Sequence, residues 1–439
     1  MQFRVSRRQI IQGAAAAAAL TPAGLAAAAP ARPWPIEEGP DTPKICLGAG
    51  DAAWPPPMED APAHARQAAR NSGFGGTLAP KSAPATDRES ASYRRIAQLG
   101  VTHLAYGNVG PFPWQEENIR RAIERAKQFG LTLQVAMVPV PASILYARRE
   151  RSADLEKVIA SIQAAGKAGL PVVEYNFYAH RIIEGYYEQV GRAGAGYTAY
   201  DSDLEILIDG NGVIVPGLLR DEQGKLTPET LAANPNARRI KVRDLPPLAG
   251  EGTHSLDEMW TNITYFLKAA VPAAEKAGTR LALHPNDPPA PVSRRSGQIM
   301  GSLAGWKHLI GIVDSPANGI TFDCGVTREM GEDPVATAEY FASRKRINHC
   351  HYRNVTVVKP YDKYSEVFID TGVVDMFGVM RALVRNKYSG TVYPEHPRAL
   401  DYDRDRGPIP GYPGGGAYGG FTYNVAYARA MLQAALASA

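Results

Sequence analysis

Cysteine is scarce in this chain: 439 residues include three, Cys46, Cys324 and Cys350. No Cys-x-x-Cys pair occurs, which excludes thiolate zinc knuckles and dithiol redox motifs, and an odd count excludes a fully paired disulfide framework. Cys46 and Cys350 fall inside apolar strand-like runs and read as buried small hydrophobes. A strong charge of one sign is also missing. The formal net charge is +4, and about +1 is left once Arg4, Arg7 and Arg8 of an expected leader are set aside, which argues against nucleic acid or an anionic membrane as partner. No run is long and apolar enough to anchor the chain in a bilayer, and no repeat has the period of a solenoid or propeller. What is present is a 45% hydrophobic content, enough for a large core. The 42 Gly and 35 Pro cluster in loops, as in a heavily decorated scaffold.

The N-terminus reads as an address. Ser6-Arg7-Arg8-Gln9-Ile10-Ile11 is a twin-arginine pattern, followed by an Ala-rich run and a small-residue cleavage site near Ala29. The expectation is a signal peptide over residues 1–30 and a periplasmic or exported product with no membrane association after cleavage. Export in the folded state allows a metal to be loaded beforehand.

Strand-like and helix-like patterns alternate through most of the remainder. Strands are expected at Lys44–Leu47, Val101–Tyr106, Leu131–Val138, Val172–Phe177, Thr279–His284, Gly319–Phe322, Arg346–Tyr352 and Tyr388–Glu395. Helices are expected between them, among them Asp154–Gly169, Ser255–Ala277, Pro334–Ser343 and a closing helix at Tyr423–Leu436. This order predicts an α/β fold, a (β/α)8 TIM barrel with loop insertions, as one domain over residues 31–439. The segment from Trp54 to Pro84 is Pro-rich and expected to be irregular. Around residues 182–251 the rhythm fails at Gly-Arg-Ala-Gly-Ala-Gly and Asp-Gly-Asn-Gly. That stretch is expected to be an insertion over the barrel mouth, either a lid or a structural flap or oligomer contact.

Four strand-like runs end in groups that bind cations: His284, Asp323, His351 and Glu395. Strand ends of a closed parallel barrel meet at one rim, so residues far apart in sequence converge there. A lone histidine at such a place is more often structural; equivalent positions in three further runs favour a metal site. Two imidazoles and two carboxylates suit Mn2+ or Mg2+, with Zn2+ as an alternative. Cys324 is a rival to Asp323, because alternation lets only one of the two face the mouth. Arg353 and Asn354 are placed to meet an anionic substrate, although Arg353 also reads as a surface ion-pair residue. His396 and Tyr412 suit proton transfer. His349, two positions before His351, reads as core or as support behind the ligands.

The runs Leu-His284-Pro-Asn-Asp-Pro-Pro, Asp314-Ser-Pro-Ala-Asn-Gly-Ile-Thr-Phe322, His351-Tyr-Arg-Asn-Val355, Val374-Asp-Met376 and Pro394-Glu-His396 together resemble the mannonate dehydratase family. Tyr175-Asn-Phe177 and Pro410-Gly-Tyr412 extend the resemblance. It implies a barrel related to xylose isomerases that uses Mn2+ or a similar ion (Mg2+, Fe2+ or Zn2+) to remove water from D-mannonate, giving 2-keto-3-deoxygluconate. It implies metal ligands at His284, Asp323, His351 and Glu395, acid/base roles at His396 and Tyr412, and substrate contacts in the loop of Asn286. The chain departs from the family pattern at three places. Asp323 stands where Cys follows Thr-Phe, Asn286-Asp287 replaces Asp-Asp, and Tyr393-Pro-Glu-His replaces Arg-Pro-Asp-His, a contact to carboxylate that tyrosine does not supply. The expected partner is a small sugar acid or sugar, with a homo-oligomer left open. The alternative activity is a metal-dependent isomerase or epimerase of the same superfamily.

Overall fold

Eight short strands carry the core, and the helices between them wrap it. The computed structural model describes residues 38–53, 87–406, 409 and 411–439. The expected leader, the Pro-rich stretch from Trp54 to Pro84, and Pro410 lie outside the described residues. Strands β1 (Lys44–Gly48), β2 (His103–Ala105), β3 (Thr132–Met137) and β4 (Val172–Tyr175) run in succession. The chain then forms β5 (Tyr186–Val190), β6 (Gly196–Asp201), β7 (Glu205–Ile208) and β8 (Arg238–Lys241). It returns at β9 (Arg280–Leu283), makes a two-strand clip β10 (Val292–Ser293) and β11 (Ser296–Gly297), and continues through β12 (Asn318–Asp323) and β13 (Ile347–His351). A hairpin of β14 (Val355–Lys359) and β15 (Lys363–Glu366) precedes the last strand, β16 (Thr391–Tyr393). The order β1-β2-β3-β4-β9-β12-β13-β16 is parallel throughout and closes on β1. This is a (β/α)8 barrel, with every expected barrel strand in place.

Register sets the site. Asp323, the last residue of β12, lies opposite His351, the last of β13, and His351 lies opposite Tyr393 at the end of β16. Three neighbouring strands therefore finish at one level. The strands are buried on both faces, as a barrel with helices outside and side chains inside demands.

The segment 182–251, expected as an insertion, contains regular strands. Its β5 and β6 join β15 and β14 in a four-stranded antiparallel sheet, and β7 pairs with β8. Lys363 faces Asp201 across the join, so the partner strands come from segments far apart in the chain. Tyr186, Tyr200 and Tyr364 form its packed centre. Among the described residues no helix is long and apolar enough to cross a membrane.

The helix Leu256–Ala277 begins with a reciprocal cap between Ser255 and Glu258 and ends at Gly278 in the left-handed region (φ 74°). It packs tightly on the helix Arg151–Ala168, where a Cβ on Gly166 would lie 2.2 Å from the Ala277 carbonyl oxygen. Gly166→Ala gains about 1 kcal/mol of helix propensity yet overpacks this crossing, at a cost of about 1–3 kcal/mol. The expected net result is a lower melting temperature by circular dichroism; an unchanged or higher one would show that the helices are not in this contact.

Candidate active site

The carboxylate of Asp323 is held twice. Its Oδ1 caps the helix Cys324–Glu329 by accepting from the Val326 N–H at 2.8 Å. That leaves Oδ2 facing the Arg353 Nε at 3.0 Å and the His351 Nδ1 at 3.9 Å. Cys324 turns the other way, its thiol donating to the Arg353 carbonyl at 3.2 Å within the packed interior. Strand alternation thus gives the mouth to Asp323. Glu395 arrives just beyond β16, its Oε1 2.9 Å from the His351 Nδ1.

Asp323, His351 and Glu395 bring one ligand atom each within 4.8 Å of one another. The His351 Nδ1 and the Glu395 Oε1 are both buried and neither makes a hydrogen bond. Buried polar atoms left unsatisfied normally cost about 1–3 kcal/mol each, and a cation shared by these two would remove that cost. The donors fit a hard or borderline divalent ion. His284 is not in this group. Its ring lies 4.9 Å from that of His351, and its Nδ1 contacts the Pro285 carbonyl at 2.7 Å and the Tyr178 hydroxyl at 2.9 Å. Burial and the neighbouring His351 push His284 down to about 4, so it is neutral at pH 7.

Arg353 is only 2% exposed and belongs to the protein's own charge network. Its guanidinium meets Asp323 at 3.0 Å, Glu329 at 2.7 Å, Glu395 at 3.4 Å, and Asp287 and Glu366 at 3.5 Å. A residue so committed is a fixed counter-ion, where a substrate contact had been expected. The amide of Asn354 is equally committed: it donates to the Ile369 carbonyl and accepts from the Val355 and Val374 N–H groups, each at 3.0 Å. These bonds pin the loop. Asn286 donates to Gln298 at 2.7 Å, while its Oδ1 is buried without a partner.

His396 sits at φ 47°, a conformation rare for a residue with a side chain. Its Nδ1 lies 3.0 Å from the Glu366 Oε2, and its Nε2 3.6 Å from the Glu395 Oε2. Burial opposes its charge, but Glu366 and Glu395 carry it up to about 9. Burial likewise works to raise Glu366, yet His396, Arg353 and Arg398 hold it at about 2. Tyr412 packs its ring 5.4 Å from that of His396, and its hydroxyl accepts from the Arg181 Nη2 at 2.5 Å. Burial first, then the acidic neighbours, push Tyr412 up to about 12.

Several functional groups escaped the sequence reading. Glu174, Asp287, Glu329 and Glu366 are each at most 2% exposed. Glu174 alone carried a visible sign, an acidic residue inside the apolar run Val172-Val173-Glu174-Tyr175. Arg181 also went unnoticed; among the described residues no carboxylate side chain lies within ion-pair distance of it, and it donates to the Asp287 carbonyl at 2.8 Å.

A closed parallel barrel with carboxylates and imidazoles gathered at the C-terminal rim is the architecture of a metal-assisted barrel enzyme. The family model of D-mannonate dehydratase (UxuA) matches residues 86–437, and the chain belongs to that family of hydro-lyases. A mannonate dehydratase of Bacillus licheniformis is 30% identical over 340 residues, spanning 74% of this chain and 87% of the relative. One from Streptococcus equi subsp. zooepidemicus is 29% identical over 306 residues, spanning 68% and 78%. The crystal structure of mannonate dehydratase from Streptococcus suis serotype 2 superposes with a TM-score of 0.62 at 25% identity, covering 82% of this chain and 93% of that one. The family implies a divalent metal, and the rim cluster is able to hold one.

Arg353→Met leaves the surrounding carboxylates without their counter-charge, at an expected cost of about 3–5 kcal/mol. Burial already holds Asp323 and Glu329 above the usual carboxylate range, and without Arg353 they rise further, so the penalty is largest at high pH and shrinks as pH falls through the folded values. Urea midpoints measured from pH 5 to 8 check this; a loss of stability independent of pH would point to lost packing instead.

Proposed function

We propose that the protein eliminates water from D-mannonate or a closely related aldonate, giving the 2-keto-3-deoxy acid. The observation that carries this reading is the convergence of Asp323, His351 and Glu395 at the rim in a chain that belongs to the D-mannonate dehydratase (UxuA) family. Asp323, His351 and Glu395 would hold the cation, with the neutral His284 beside them, and Mn2+ is the ion we favour. When bound, the ion acidifies the C2 proton by drawing charge from the substrate carboxylate.

Elimination takes a proton from C2 and delivers one to the departing C3 oxygen; the enol left behind becomes the keto acid. His396 is protonated at neutral pH, held so by Glu366 and Glu395, and therefore serves as the acid toward that oxygen. Tyr412 supplies a second hydroxyl on the same side, fixed by Arg181. Arg181, lacking a carboxylate partner among the described residues, is the cation available at the mouth to receive the sugar acid's own carboxylate. It takes the part that the sequence had suggested for Arg353. The loop of Asn286 lies alongside.

Export by the twin-arginine route, supported by Arg7-Arg8 and the small residues near Ala29, places this activity outside the cytoplasm. Replacing both arginines by lysine should keep the full-length precursor in the cytoplasmic fraction; normal processing of that variant would count against the route.

Mn2+-loaded protein incubated with D-mannonate should release one 2-keto-3-deoxygluconate and one water per turnover. Solvent deuterium exchange at C2 with no keto-deoxy acid formed would instead mark an isomerase or epimerase. Because the acid form of His396 is lost as pH rises through its folded value, kcat/KM should fall above about pH 9. His396→Asn should lower kcat about 10²–10⁴-fold; a variant with undiminished kcat removes His396 from the chemistry.

A further inference from the structure

Behind the rim cluster, on the barrel axis, a second set of buried polar groups touches the far side of His351. The Tyr106 hydroxyl, at the end of β2, lies 2.8 Å from the His351 Nε2. It also neighbours the carboxylate of Glu174, which is 0% exposed and accepts from the Thr321 hydroxyl at 2.8 Å. The other oxygen of that carboxylate, Oε2, is buried without a hydrogen-bond partner. Tyr106 holds φ 57°, in the left-handed region, and its ring packs edge-on against His349, His351 and Tyr393. A strained backbone held by packing on three sides places this hydroxyl with little freedom.

A phenol has one proton, so the direction of these contacts has consequences. If Tyr106 donated to the His351 Nε2, the neutral imidazole would carry its proton on Nδ1, pointing at the Glu395 Oε1 only 2.9 Å away, and would offer no lone pair there. Glu174 would then be left with a buried oxygen unsatisfied. The opposite direction satisfies Tyr106, Glu174 and the Nε2 side of His351, and leaves the lone pairs of His351 Nδ1 and Glu395 Oε1 for a cation. Tyr106 donates to Glu174, and His351 donates through Nε2–H to the Tyr106 oxygen. We propose that Tyr106 and Glu174 are positioning residues that fix His351 as its Nε2–H tautomer and so aim the Nδ1 lone pair at the point shared with Asp323 and Glu395. The inference rests on the cation reading above. It extends it by naming what prepares the imidazole, since a ligand histidine normally gives its other ring N–H to a fixed acceptor. Thr321, two residues before Asp323 on β12, ties the relay to the same strand that bears the carboxylate ligand.

The test uses the full chain, with Mn2+ and Zn2+ as probes. By calorimetry, Tyr106→Phe should weaken Mn2+ binding about 10–100-fold, with the melting temperature of the metal-free protein little changed. Glu174→Gln, which keeps the shape and puts an amide where Tyr106 meets the carboxyl, should act in the same direction. In Zn2+-loaded wild type, ¹⁵N spectra of labelled histidine should show His351 bound through Nδ1 with its proton on Nε2; in Tyr106→Phe that signature should be lost or mixed. Mn2+ affinities within about twofold of wild type in both variants, or coordination through Nε2 in the wild type, would overturn the relay while leaving the cation reading intact. A wild type that binds neither ion would overturn both.

Discussion

Much of this structure follows from the placement of the Arg353 guanidinium among Asp287, Asp323, Glu329, Glu366 and Glu395 in a region closed to water. Isolated carboxylates in such a medium do not stay charged, because desolvation costs several kcal/mol per ion. The protein answers in three ways. Arg353 and Arg398 contribute fixed positive charge, the latter 2.9 Å from Glu366. His396 takes a proton and holds it. Glu329, pushed well above the usual carboxylate range by burial despite Arg353, takes one too. Within this network the His351 Nδ1 and the Glu395 Oε1 lie 2.9 Å apart, both without a hydrogen-bond partner.

The same network directs the side chains of two adjacent residues to different partners. Glu395 and His396 are neighbours in the chain, yet the left-handed backbone at His396 directs its ring toward Glu366 while Glu395 reaches His351. Glu366 comes from β15, in the antiparallel sheet that also contains Tyr186, whose hydroxyl donates to Asp287 at 2.5 Å. The insertion is thus wired to the active site through side chains that hold its charges.

The barrel was legible because its signals are local. Apolar β-branched runs ending in His284, Asp323, His351 and Glu395 recur at spacings that leave room for helices, and parallel closure then brings their ends together. Alternation showed that only one of Asp323 and Cys324 can face the mouth and left the choice open; the structure shows the Asp323 carboxylate capping the helix Cys324–Glu329. The antiparallel sheet was not readable: β6 pairs with β15 across some 160 residues, and turn-rich flanks conceal strands whose partners are remote. The burial of Arg353 among carboxylates was hidden for a related reason. The arginine's five carboxylate neighbours lie in loops, in strands and at the end of the helix Cys324–Glu329, and nothing in His351-Tyr-Arg-Asn-Val355 reports how many of them the fold will bring to it. Arg181 lies at the start of that same turn-rich stretch.

The central claim is that the charges around Arg353 build a cation site bounded by Asp323, His351 and Glu395. Anomalous diffraction at the manganese edge from crystals grown with Mn2+ tests it most directly. The account predicts one strong peak within bonding distance of the Asp323 and Glu395 oxygens and the His351 Nδ1. A peak elsewhere, or none, with water or the guanidinium filling that point, would contradict it.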